Sequence, residues 1–94
     1  MKAMVFHGAR DFRYDDYAEP TLASDRDMII RVEKCSICGS DLHMYNGKKL
    51  GPLDYSLVKM QFCVGHEGIG EVVEVGAAVK KHRVGDRVLL AGGV

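Results

Sequence analysis

Short β-branched runs separated by glycine turns constrain this chain more than any other feature. Met28-Ile29-Ile30-Arg31-Val32-Glu33 leads straight into Cys35, and Glu71-Val72-Val73-Glu74-Val75 ends on Gly76. Gly85-Asp86 then turns into Arg87-Val88-Leu89-Leu90-Ala91. Runs of this length and composition suit half-buried strands, and glycine supplies the bends between them. Met1 to Phe6 reads as an opening strand, His7 to Asp11 as its turn, and Phe12 to Asp15 as the return strand. Glu19-Pro20-Thr21-Leu22 is an extended connector, because proline disfavours helix at the residue before it. Val79 to Val84 is a second connector.

Helical signal is sparse. Ser40-Asp41-Leu42-His43-Met44-Tyr45 has polar starters and no β-branched residue, which predicts one or two helical turns stopped by Asn46-Gly47. Lys48 to Gln61 has glycine and proline breaks and no clear period, so it reads as a loop with one helical turn at Tyr55 to Met60. The expectation is a mainly β fold, a partly open β-barrel with one or two short helices. Ala91-Gly92-Gly93-Val94 adds no capping element, and the fold is expected to be truncated there.

Composition narrows the function classes. A chain of 94 residues is one domain with a modest core. Thirteen basic residues balance thirteen acidic ones, and no lysine or arginine run exceeds two, so the footprint that nucleic acid needs is missing. Apolar runs are only a few residues long, which excludes a membrane-spanning helix. Met1 to Gly8 does not read as a signal peptide. An odd number of cysteines, three, without an export signal points to a reducing cytoplasm and thiols available to metal.

Chemistry is concentrated in Cys35-Ser-Ile-Cys38-Gly-Ser40-Asp41-Leu-His43 and in Gly65-His66-Glu67. A thiolate at Cys38, an imidazole at His66 and a carboxylate at Glu67 are donors that zinc accepts. The bland readings are a buried structural thiol for Cys38 and a solvated glutamate for Glu67. Asp41, three residues after Cys38, could accept the N–H of His66 or simply start a helix, and the two roles are compatible. Ser40 and His43 are three apart, hence on one face of a helical turn, and either form a proton relay or serve as a cap and an exposed imidazole. Gly65-x-x-Gly68-x-Gly70 is not a dinucleotide fingerprint, because a strand follows it where a helix is required. Its glycines suit bends and close packing in a strand. His7 and His82 stand in turn-like, charged surroundings and are expected at the surface. A rival metal set, Cys35, Cys38, Cys63 and His66, has the spacing of a closed structural zinc module.

With Met1-Lys-Ala-Met-Val-Phe6 at the start, Cys38-Gly-Ser-Asp-Leu-His43, Gly65-His-Glu-Gly-Ile-Gly-Glu-Val-Val-Glu-Val-Gly76 and Val84-Gly-Asp-Arg-Val88, the chain resembles the zinc-dependent alcohol dehydrogenases of the medium-chain dehydrogenase/reductase superfamily. The resemblance covers essentially the whole chain and implies their N-terminal catalytic domain, a GroES-like partly open barrel. It implies that Cys38 and His66 ligate a catalytic zinc, with Glu67 as a ligand in some states and Asp41 as the carboxylate behind the ligands. Cys35 and Cys63 match no ligand position. By the same resemblance Ser40 takes the substrate proton, His43 relays it, and hydride passes from the alcohol to NAD or NADP, the reverse run reducing an aldehyde or ketone. The implied parent is a cytoplasmic homodimer or homotetramer. Its Rossmann domain, remaining catalytic ligand and any second, structural zinc would lie beyond these 94 residues, so the piece alone is expected to be inactive. A metal-free GroES-like binding module is the reading from another class.

Overall fold

The computed structural model describes residues 1–92; Gly93 and Val94, the last of the terminal residues read above, lie outside the described residues. The elements are β1 (Lys2–Gly8), β2 (Asp11–Asp16), β3 (Met28–Cys35), α1 (Gly39–Tyr45), β4 (Lys49–Leu50), β5 (Leu53–Asp54), β6 (Phe62–Cys63), β7 (Gly68–Val75) and β8 (Arg87–Leu89). They form two three-stranded sheets, ordered β2-β1-β6 and β3-β7-β8, and a two-stranded hairpin of β4 and β5. The expected mainly β fold with a short helix is what is observed, and the sheets among the described residues remain open. The chain folds as two compact units, each assembled from separate stretches: residues 1–18 with 37–65, and residues 19–36 with His66 onward.

The first unit is built on aromatic packing. β1 is central in its sheet, paired antiparallel with β2 (Met4 with Tyr14, Phe6 with Phe12) and with β6 (Val5 with Cys63, Phe6 with Phe62). Ala3, Val5 and Phe6 are buried, and Phe6 has no solvent exposure at all. Its ring stacks on Phe62 at 4.9 Å between centroids and meets Phe12 and Tyr55 edge-on at 5.8 and 6.4 Å. Phe12 in turn meets Tyr45 of α1 edge-on at 5.3 Å. Such pairs add about 0.5–1.5 kcal/mol each beyond the area they bury.

Three local expectations are corrected here. The opening strand runs on through His7 and Gly8, so His7 is a strand residue with only 12% of its side chain exposed, not a surface turn residue. Its Nε2 lies 3.5 Å from an Asp15 carboxylate oxygen across the β1–β2 pair. The expected helical turn at Tyr55 to Met60 is absent; β4 and β5 form a tight hairpin just before it, and Tyr55–Leu57 is a simple turn. Gly51, at φ 58°, provides the positive φ that a two-residue hairpin turn needs, so the glycine–proline break is itself the hairpin. β6, only two residues long, was not legible as a strand: Phe62-Cys63 becomes one by pairing with β1. His82, by contrast, is at the surface as expected.

The second unit is built on close backbone approach. β7 lies between β3 and β8, with Gly68, Gly70 and Val72 buried along one face. A Cβ on Gly70 would sit 2.2 Å from the carbonyl oxygen of Arg31, next to an irregularity in the β3 register. A Cβ on Gly76 would sit 2.3 Å from the carbonyl oxygen of Asp25, where the carbonyls of Asp27 and Asp25 accept from the N–H groups of Gly76 and Ala78, each at 2.8 Å. Gly70 therefore serves the close packing expected of it, and the strand expected after Gly65 is β7. On the opposite face Arg31 pairs with Glu71 at 2.8 Å, and Arg87 lies 3.4 Å from Glu33.

Candidate functional site

Helix α1 gathers four of the residues singled out from the sequence. Cys38 is its N-cap, in extended geometry at φ −91° and ψ 155°. The Asp41 carboxylate accepts the backbone N–H of Cys38 at 2.9 Å, and the Asp41 N–H donates to the Cys38 carbonyl at 3.0 Å. This reciprocal bonding locks the backbone that carries the thiol. Asp41 is only 6% exposed, and a carboxylate in the first turn is favoured by the helix dipole. Its helix-start role is thus present in the structure. Ser40 and His43, three apart on the same helix, are both half-buried.

The helix ends as the sequence predicts. Asn46 donates to the Leu42 carbonyl at 2.9 Å and Gly47 to the Met44 carbonyl at 3.1 Å, with Gly47 at φ 67°. Lys48 donates to the His43 carbonyl at 3.0 Å, so the backbone of His43 is held on its C-terminal side. The β1–β2 turn also anchors this end, because the N–H of Arg10 donates to the Tyr45 carbonyl at 2.7 Å.

His66 and Glu67 open the stretch that becomes β7. Gly65 before them has φ 114°, a conformation that glycine tolerates and side-chain-bearing residues rarely adopt. His66, which follows this glycine, is half-buried and packs against Gly92. Glu67 is held by a residue that sequence reasoning missed. The Ser36 hydroxyl donates to the Glu67 carboxylate, and the Ser36 N–H donates to the Glu67 carbonyl at 3.1 Å. No motif announces this pair; only the register of β3 on β7 places Ser36 opposite Glu67.

Cys35 and Cys63 are exposed free thiols, one ending β3 and the other on β6. Among the described residues no helix is long and apolar enough to cross a membrane.

Residues 24–93 match the model of the alcohol dehydrogenase GroES-like domain. The chain belongs to that family. This GroES-like domain is 39% identical over its whole length to sorbitol dehydrogenase of Bacillus subtilis, covering 26% of that protein. It is 40% identical to (R,R)-butanediol dehydrogenase of the same organism, over 96% of the chain and 27% of the relative. Among solved structures it superposes on alcohol dehydrogenase TADH from Thermus sp. ATN1 with a TM-score of 0.78 at 34% identity, over 95% of the chain and 24% of the other. The chain thus spans about a quarter of the length of the relatives it matches. The mainly β, GroES-like architecture expected from the sequence agrees with these neighbours, and the relatives are oxidoreductases of the alcohol dehydrogenase class.

Proposed function

We propose that the chain is the N-terminal catalytic domain of a zinc-dependent alcohol dehydrogenase that oxidises an alcohol to an aldehyde or ketone with NAD or NADP. The observation that carries this reading is the α1 N-terminus, where buried Asp41 fixes the backbone of Cys38 just ahead of Ser40 and His43. The thiolate of Cys38 and the imidazole of His66, with the Glu67 carboxylate as a ligand in some states, are donors that suit a catalytic zinc, and the whole protein would supply the remaining ligand. Zinc bound by this set supplies Lewis acidity toward an alcohol or carbonyl oxygen. The chain's own residues do the rest: Asp41 orients the ligands, the Ser40 hydroxyl takes the alcohol proton, and His43 passes it toward water.

The whole protein, a homodimer or homotetramer working in the cytoplasm, would bring the dinucleotide site, so these 94 residues alone are inactive. Sorbitol and 2,3-butanediol, after which relatives are named, are the first substrates to try with the whole protein. Zinc stoichiometry of the wild type and of Cys35→Ser, Cys38→Ser and Cys63→Ser tests the reading. Loss of metal in Cys38→Ser alone supports it. Loss in all three variants means a closed structural module of Cys35, Cys38, Cys63 and His66. A metal-free oligomer in gel filtration means a GroES-like binding module.

A further inference from the structure

Cys35 of β3 pairs with Gly68 of β7, so Ser36 and Glu67, one residue beyond each, come together at the open end of the ladder. They are joined twice, backbone to backbone at 3.1 Å and hydroxyl to carboxylate Oε2. A serine side chain has one rotor, and the backbone bond fixes its origin, so the hydroxyl is a short, well-placed donor. Tying Oε2 to it sets the plane of the carboxylate and therefore the direction of Oε1. The pair lies in the wall of a cavity of about 420 Å³, lined also by Lys34, Cys35, Ile69 and Leu89. Removing the hydroxyl takes away this tie on Oε2 and leaves that oxygen open to water from the cavity.

We propose that Ser36 is a positioning residue for Glu67, holding the carboxylate in the orientation from which it ligates zinc. This rests on the zinc reading given above. Groups that hydrogen-bond a metal ligand orient it, and losing one typically costs 10- to 100-fold in metal affinity. Because solvent can reach Glu67 here, the lower end applies.

The test is the apparent zinc dissociation constant of the 94-residue chain, measured by competition with a chromophoric chelator at neutral pH, with far-UV circular dichroism as the folding control. Ser36→Ala is expected to weaken zinc binding about tenfold. Ser36→Thr, which keeps the hydroxyl, is expected to restore most of the loss. In a Glu67→Gln background the Ser36→Ala change is expected to have no further effect. Ser36→Val, isosteric with the threonine variant, repeats the test should alanine disturb the strand end. Unchanged or tighter binding by Ser36→Ala, or an equal loss in the Glu67→Gln background, overturns the proposal. Cys38→Ser separates the two readings. If it binds zinc as tightly as the wild type, the zinc site itself is wrong; if it loses zinc while Ser36→Ala is silent, only the role of Ser36 falls.

Discussion

The two units reach a packed interior by opposite means. In the first, large rings fill space: Phe6 is fully buried against Phe12, Tyr55 and Phe62, with Ala3 and Val5 beside it. In the second, Val72 is the fully buried large side chain among the described residues, and glycines let one backbone lie on another. The first unit is therefore vulnerable to losing atoms and the second to gaining them. That asymmetry follows from packing density: a void forfeits contacts, whereas an added methyl against backbone has nowhere to go.

The largest expected effect is on the aromatic side. Phe6→Ala should cost about 3–5 kcal/mol, read as a fall in the denaturant midpoint. A cost below about 1 kcal/mol would break the comparison, since other aromatic contacts would then be holding the unit. Next comes Gly70→Ala, whose Cβ would meet the Arg31 carbonyl at 2.2 Å. The expected loss is about 3 kcal/mol, the upper end for overpacking, because the obstacle is backbone and not a movable side-chain tip. A neutral Gly70→Ala would show that the β3 irregularity yields, and the contrast between the units would weaken.

Smaller effects sharpen the picture at the turns. Arg10 holds a left-handed backbone at φ 61°, which costs a side-chain-bearing residue about 1–2 kcal/mol. Arg10→Gly removes that cost, and the unfolded-state entropy of glycine returns about 0.4–1 kcal/mol of it. The net expectation is a gain of about 0.5 kcal/mol with the bond from residue 10 to Tyr45 retained. The smallest effect is electrostatic. Asp54 is held below the ordinary aspartate value of 3.8 by the Ser56 hydroxyl and then by the Ser56 backbone N–H. A folded value lower than the unfolded one adds stability that is fully present above 3.8 and is lost as pH falls through the folded value. The stability difference between wild type and Asp54→Asn should therefore shrink on acidification below that point. Thermal melts from neutral to strongly acid pH would show it, and a pH-independent difference would refute the assignment.

Much of this protein is determined locally. β-branched runs give β3 and β7, a run free of them gives α1, and Asn46-Gly47 ends it, because strand and helix preference and capping depend on near neighbours along the chain. The donor pattern around Cys38 and His66 is equally local, and it pointed to the alcohol dehydrogenase family before any fold was known. Other features existed only once distant segments met. Phe62-Cys63 is a strand because Val5 and Phe6 lie beside it, and His7 is sheltered because β1 runs past the expected turn. Gly70 is obligatory because Arg31 crosses it, and Ser36 meets Glu67 through the register of two strands some thirty residues apart. Pairings of that kind are set by which backbone groups find partners and which surfaces are excluded from water, and no neighbouring residue encodes either.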